Sequence, residues 1–265
     1  MNLKEFFLQH PRAALGFSGG VDSAFLLAMA VKYGADVQPY FIKTVFQPAF
    51  ELEDARRLTK ELGKELIVVE YDILRDKEIS SNPANRCYYC KKTLFSVLKE
   101  KALKDGYTLL LDGSNASDDA SDRPGMRAAH ELEVLSPLRD CGLTKKEIRK
   151  LSREEDLFTW DKPSYACLAT RIPAGTVIRA ETLEKIEQAE EKLKEAGFRD
   201  FRVRLFHGAA RIQVTEGQMM ELLEKKERVT ELLGPYFRDV FLDLQPRQSE
   251  FINVCSVSSD RTAIF

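Results

Sequence analysis

The feature that most constrains this chain is the stretch Gly16-Phe17-Ser18-Gly19-Gly20-Val21-Asp22-Ser23. A short apolar run, Arg12-Ala13-Ala14-Leu15, precedes it. Residues 24–34, apolar, rich in helix formers and closed by a glycine, follow it. That order reads as strand, glycine turn, helix. Two adjacent glycines let backbone approach a ligand closely, and Ser18 and Ser23 flank them with hydroxyls. The first amides of the helix add the positive end of its dipole, so the stretch suits an anion. No Gly-Lys-Ser/Thr follows, which excludes the Walker pattern, and the glycine spacing excludes the dinucleotide fingerprint. An ordinary glycine turn is the alternative reading.

The rest of the chain extends this unit. Residues 3–9 form a short helix stopped by Pro11. Residues 37–44 read as a second strand, 48–62 as a helix with Pro48 near its first turn, and 65–72 as a third, buried strand. The order β-α-β-α-β is the signature of a doubly wound parallel sheet, so the fold class is α/β. Residues 73–86 break the pattern and read as a loop. A helix over 87–104 and a strand over 108–111 follow, and the strand delivers Asp112-Gly113-Ser114-Asn115 at its C-terminal end, where such sheets bind ligands. Residues 117–123 read as loop, 124–132 as a short helix and 134–135 as a fifth strand. Thr144-Lys145-Lys146-Glu147 is a capping box that opens a helix to about residue 155.

A second break covers 158–175, with Pro163, Pro173 and Gly175. It divides a first domain, 1–175, from a second, 176–265. In the second, Leu183, Ile186, Ala189 (or Glu190) and Leu193 make one face of a helix over 181–196. Residues 201–205 and 209–214 form a hairpin around His207-Gly208, 218–233 a helix and 240–244 a last strand. This predicts a small α+β domain, one sheet face covered by helices. The tail from Gln245 has no clear pattern.

Composition decides between function classes. The chain has 265 residues and a net charge of −2 from 40 basic and 42 acidic side chains, without the basic excess expected of a protein gripping a long nucleic acid. The N-terminus lacks the apolar core of a signal peptide, and no run approaches a membrane span, so a cytoplasmic protein is expected. In that setting five cysteines read as thiols, ligands or nucleophiles rather than as a disulfide frame.

Cys87 and Cys90, in Arg86-Cys87-Tyr88-Tyr89-Cys90-Lys91-Lys92, stand at i and i+3 of a helix start and face one way. Helix amides and flanking cations lower thiol pKa in such a place. A redox pair, a metal or iron–sulfur half-site and plain structural thiols all remain open, because a structural zinc site wants a second pair at similar spacing. Cys167 lies in a proline-bounded loop beside Arg171, where it is either a buried small thiol or a third ligand for the Cys87/Cys90 pair. Cys141 and Cys255 read as bystanders. Arg202 and Arg204 alternate with Val203 and share a face of their strand, which suits either solvent or a phosphate or carboxylate. Arg123 and Arg127 carry the same ambiguity, and His207 gets no catalytic role.

The Ser-Gly-Gly-Val-Asp-Ser stretch resembles the PP-loop of ATP pyrophosphatases. With Leu111-Asp112-Gly113-Ser114-Asn115, Arg123-Pro124-Gly125, Ser136-Pro137-Leu138, Gly142-Leu143-Thr144-Lys145, Thr159-Trp160-Asp161-Lys162-Pro163, Ala166-Cys167-Leu168-Ala169, Arg171-Ile172, Arg202-Val203-Arg204 and Leu242-Asp243-Leu244, the chain resembles the ATP-dependent sacrificial sulfur transferase (LarE) family. The resemblance implies adenylylation of a carboxylate of pyridinium-3,5-biscarboxylic acid mononucleotide and replacement of its oxygen by sulfur, on the way to a nickel-pincer nucleotide cofactor. It implies ATP and Mg2+, held by Gly16, Phe17, Ser18, Gly19, Gly20, Asp22, Ser23, Thr44, Gly113 and Asn115. Arg171, Arg202 and Arg204 become candidates for substrate phosphate and carboxylates. One branch of the family spends the sulfur of a lone cysteine matching Cys167. Another holds a 4Fe-4S cluster with three cysteines, matching Cys87, Cys90 and Cys167, and the latter is expected here. The expected partners are a small-molecule nucleotide and further copies of the chain, without nucleic acid or membrane. The C-terminus departs from the family's Leu-Asp-Leu-x-Gly-Tyr-Arg, since Gln245-Pro246-Arg247 follows Leu244. A PP-loop tRNA thiolase, an ammonia-using amidotransferase or NAD-synthetase type, and a non-catalytic nucleotide-binding regulator are the rival readings.

Overall fold

The structure is a computed structural model and describes residues 1–118 and 124–247. Contacts divide the chain into two compact units, Met1–Glu184 and Lys185–Phe265. In the first, the elements run α1 (Leu3–Gln9), β1 (Arg12–Gly16), α2 (Val21–Lys32), β2 (Asp36–Lys43), α3 (Ala49–Glu61), β3 (Ile67–Glu70), α4 (Lys77–Ser80), α5 (Arg86–Lys104), β4 (Leu110–Leu111), α6 (Pro124–Glu131), α7 (Pro137–Asp140) and α8 (Lys145–Glu154). The four strands form one parallel sheet in the order β3-β2-β1-β4.

This order places the site. From β1 the chain winds outward to β2 and β3, then returns to the other side of β1 as β4. The reversal between β1 and β4 opens a crevice at their C-terminal ends. The strand at the centre is built of small residues for a reason. Ala13 and Leu15 are fully buried on one face, among α1 and α2 side chains such as Phe7 and Leu26. Ala14 is fully buried on the other, with Leu98 and Ala102 of α5. Residues alternating along β1 thus belong to two separate cores. Helix α2 has almost no wet face, since residues 24–30 are all buried, so it packs as a core element rather than as an amphipathic cover.

Several expectations need correction. The third strand is an edge strand and only half-buried: β2 pairs with one side of it, and among the described residues no strand pairs with the other. Residues 134–135 do not form a strand. Leu135 makes one parallel bridge to Leu111, and Pro137, which has no amide hydrogen to pair, begins α7 two residues later. The loop expected over 73–86 contains a short 3-10 turn and α4, with Asp72 and Asp76 capping them by accepting from Leu74 N and from Glu78 N and Ile79 N. The capping box at Thr144 forms as expected, with both reciprocal bonds to Glu147.

In the second unit, α9 (Ala180–Glu195) runs across the division, followed by β5 (Arg202–Phe206), β6 (Ala209–Gln213), α10 (Met219–Glu224), α11 (Lys226–Leu233) and β7 (Val240–Leu242). The sheet order is β5-β6-β7, antiparallel then parallel. The hairpin turns on His207 and Gly208, both at positive φ (50° and 84°), the geometry of a tight two-residue turn. Ile186, Ala189 and Leu193 are fully buried, and Glu190 joins that face to accept from Val203 N at 2.9 Å. The single helix expected over 218–233 is in fact a 3-10 turn, α10 and α11. The break falls at Lys225, which leaves helical geometry while its ammonium pairs with Glu221 and lies over the Phe198 ring; no proline or glycine marks it.

Leu26 is fully buried in the core between α2 and the sheet. Leu26→Ala is expected to cost about 2–5 kcal/mol, against under about 0.5 kcal/mol for Leu8→Ala on the exposed side of α1, both read by urea denaturation.

Candidate active site

The glycine turn follows β1 and ends where α2 begins. Gly20 is the helix N-cap in extended geometry. The two serines close the turn on itself: Ser18 N donates to Ser23 Oγ at 3.3 Å, the two hydroxyls lie 3.1 Å apart, and Ser23 Oγ donates to Gly20 O. Glycine is obligatory at two positions. Gly19 has φ +69°, and a Cβ there would stand 3.0 Å from Glu51 O and 3.1 Å from Ala55 N of α3. A Cβ on Gly113, just past β4, would stand 3.0 Å from Ser23 N.

A cavity of about 320 Å³ opens at this crevice. Gly16, Phe17, Ser18, Asp22, Ser23 and Gly113 line it, while Gly19 and Gly20 shape the turn beside them. Thr44 and Asn115 do not line it and act on its rim. Thr44 accepts from Phe46 N and donates to Gln47 Oε1, and Gln47 lines the cavity. Asn115 Oδ1 accepts from Ser117 N, and its own amide bonds Asp118, another lining residue.

Asp22 is the anionic centre of the turn. Its Oδ2 takes Lys145 Nζ at 2.6 Å, whereas its buried Oδ1 has no partner. Burial raises its pKa despite the opposing pull of Lys145. An orphaned carboxylate oxygen beside a phosphate-type turn fits a divalent cation arriving with a nucleotide. Sequence reasoning missed Lys145 as a partner of this carboxylate, although it is the first residue of α8 after the legible Thr144 cap.

The thiols lie at the start of α5 and on the loop that carries Cys167. Cys87 is exposed, and Cys90 and Cys167 are half-buried. They lie close enough to influence one another: burial pushes the Cys90 thiol up to about 12, with Cys167 and Cys87 adding to the rise. Burial also raises Cys167, against Arg86. Arg86 is the clamp. Its Nη1 donates to Asn82 Oδ1 (2.6 Å) and Ala169 O (2.9 Å), and its Nη2 faces Cys87 Sγ at 3.8 Å. One side chain thus fixes the start of α5 to the Cys167 loop. Among the described residues, no three Cys, His, Asp or Glu side chains close on a single-ion position. Thiolates are the usual ligands of iron–sulfur clusters, so the residue types at these three positions suit one by their chemistry.

Arg171 is buried and holds this loop from inside, donating to Ala166 O and Thr170 Oγ1. Leu168 N donates to Phe46 O, tying the loop to the segment after β2. Lys162, also in the loop segment, pairs with Asp54 at 2.6 Å and donates to Gly19 O at 3.2 Å. The Cys167 segment therefore touches the glycine turn itself. Arg202 and Arg204 lie on β5 of the second unit. Arg202 is 3% exposed and donates to Phe201 O, so it is not a solvated surface arginine. Arg204 faces Gln213. Arg127 belongs to a surface network with Glu131 and the Tyr88 ring. Cys141 packs against the core, and Arg123 and Cys255 lie outside the described residues.

A profile of the family described as Thiamine biosynthesis protein (ThiI) matches residues 10–195. The chain is 35% identical over 259 residues to the uncharacterized protein slr1717 of Synechocystis sp., covering 95% of this chain and 96% of that one. It is 32% identical over 236 residues to pyridinium-3,5-bisthiocarboxylic acid mononucleotide synthase of Lactiplantibacillus plantarum, covering 88% and 86%. The chain belongs to the LarE family of PP-loop proteins. As a LarE-family protein it is an ATP-dependent sulfurtransferase. A more distant similarity, 25% over 208 residues, links it to the tRNA-specific 2-thiouridylase MnmA of Thermotoga petrophila, over 63% of this chain and 58% of that one.

Two outcomes are expected from this LarE-family geometry. Gly19→Ala has no room for its methyl and should weaken ATP binding by about ten-fold or more in equilibrium titration, with Gly34→Ala, whose added Cβ meets nothing within 4 Å, as the control for strain at positive φ alone. The second concerns Glu51, whose carboxyl burial pushes up to about 7 against Lys162, Lys43 and Arg171. The folded protein then holds a proton that the unfolded chain releases above its ordinary value of 4.5. Glu51's contribution to stability is therefore full below pH 4.5 and lost as pH rises through 7. Glu51→Gln should flatten that decline in denaturation curves taken across this window.

Proposed function

We propose that this protein adenylylates a carboxylate of pyridinium-3,5-biscarboxylic acid mononucleotide and exchanges its oxygen for sulfur, for a nickel-pincer nucleotide cofactor. The observation that carries the reading is on α5. Its first two turns bear Cys87 and Cys90, and Lys91, Leu94, Phe95 and Leu98 of the same helix line the cavity at the glycine turn. Activation and sulfur supply thus share one wall. The relative that carries the synthase name matches the chain over both units, 88% of its length.

The steps follow from leaving groups. A carboxylate oxygen attacks the α-phosphorus of ATP, the bond to the β-phosphate oxygen breaks, and pyrophosphate leaves. A sulfur nucleophile then attacks the acyl carbon, and AMP departs with the former carboxylate oxygen. Ser18, Ser23 and the amides at the head of α2 would hold the departing pyrophosphate. Mg2+, held by Asp22, would neutralise phosphate charge. Arg86 would keep the sulfur site aligned by tying Cys87 to the Cys167 loop. Arg202 and Arg204 are assigned to the substrate's phosphate and carboxylates, and Arg171 to holding the Cys167 loop. A 4Fe-4S cluster held by Cys87, Cys90 and Cys167 would supply a sulfur-carrying site that survives turnover. Sacrifice of the Cys167 sulfur itself is the second reading, favoured by how firmly the loop holds that residue.

Anaerobic purification with iron and sulfide assay, wild type beside Cys90→Ala, separates the two. Iron and sulfide are expected in the wild type and lost in the variant. Iron-free wild type whose mass falls by one sulfur per product would establish sacrifice instead. AMP release that follows added tRNA rather than the pyridinium nucleotide would replace both readings with a thiolase.

A further inference from the structure

Among the described residues that line the cavity, Lys91 is the one basic side chain. It makes no hydrogen bond or ion pair among the described residues. Its basic neighbours are committed elsewhere: Lys145 to Asp22, Lys162 to Asp54 and Gly19, Lys43 to Gln47 O. Lys91 also lies in a groove shaped for it. Gly125, at the start of α6, leaves its side of that groove bare. A Cβ there would stand 2.5 Å from Lys91 Cδ, 2.9 Å from Cε and 3.3 Å from Nζ. A solvated lysine needs no such slot. A lysine whose stem is laid along bare backbone has its direction fixed and part of its ordering cost met before a ligand arrives.

The reaction has a position for such a cation. The glycine turn grips the phosphates that leave. The α-phosphorus is attacked from the side opposite to its leaving group, so it lies between that turn and the incoming acid. A charge that stabilises it must sit off the turn and stay when pyrophosphate goes. Lys91 stands on α5 and lines the cavity, one residue past Cys90. We propose that Lys91 Nζ binds the α-phosphate of the nucleotide, first in ATP and then in the adenylate, with Gly125 as the bare wall that aims it. The chemistry invoked rests on the adenylylation reading, but not on the identity of the acid.

The test uses AMP and inorganic pyrophosphate as separate probes, each titrated with Mg2+ against the full-length wild type, Lys91→Ala and Gly125→Ala. AMP carries only the α-phosphate, and pyrophosphate carries only what leaves. Lys91→Ala should weaken AMP binding by about ten-fold to a hundred-fold, the loss of one charge-assisted hydrogen bond, and pyrophosphate binding by less than about two-fold. Gly125→Ala keeps the charge but displaces it, and should weaken AMP selectively as well. Thermal melting of both variants guards against unfolding. AMP affinity in Lys91→Ala within about two-fold of wild type would overturn the assignment, as would equal losses for both probes. A wild type that binds neither probe would overturn the ATP site itself, a different failure. A change confined to the alkylation rate of Cys90 would place Lys91 in service of the thiol and also overturn it.

Discussion

Everything at the crevice depends on a steric fact: the glycine turn is wedged between α3 on one side and the end of β4 on the other. A Cβ on Gly19 would meet Glu51 O and Ala55, and one on Gly113 would meet Ser23 N. A side chain at either glycine would be crowded against that backbone, so glycine lets the turn sit this close to its neighbours. The serine hydroxyls then bond to each other and to the turn's own backbone instead of searching for partners. Preorganisation of this sort lowers the ordering cost of binding phosphate. It also explains why β1 must be lined with alanine and glycine. Helices approach its sheet from both faces, and the turn inherits its position from that close packing.

The surroundings of Cys167 are organised on a different principle. The Cys167 segment has little regular structure beyond one 3-10 turn, and side chains reaching into its backbone hold it: Arg86 to Ala169 O, Arg171 to Ala166 O, Asn82 to Pro173 O. These donors satisfy carbonyls that a helix or strand would have satisfied itself. Lys162 and Leu168 then connect the segment to Gly19 and Phe46. The Cys167 segment and the glycine turn are thereby joined through short bonds, although they come from opposite ends of the first unit's sequence.

Much of this was legible in the sequence. The turn, the strand-helix alternation, the Thr144 cap and the pairing of Cys87 with Cys90 on a helix start follow from spacing and residue type alone. What escaped has identifiable causes. The brief elements at 73–80 are capped by Asp72 and Asp76, a local signal too short to stand out within a proline-containing stretch. Leu135 could not be told from a strand residue, because a single bridge and a ladder have the same apolar signature. The partners of Lys145, Lys162 and Arg86 are long-range, and nothing in a one-dimensional pattern announces which carboxylate or carbonyl a lysine or arginine will meet. Arg202 read equally well as surface or ligand until its burial was visible.

Arg86 has one more consequence. It is 7% exposed, and its partners are an amide oxygen, a peptide carbonyl, an aromatic face and a thiol; among the described residues no carboxylate pairs with it. A buried guanidinium satisfied by neutral acceptors leaves its pocket with a surplus positive charge. The thiols are the groups positioned to balance it. Arg86 opposes the rise that burial imposes on Cys90 and Cys167 without cancelling it. Bare ionisation of these thiols therefore works against the folded state, and Arg86 lessens that cost in the same pocket where it holds the loop in place.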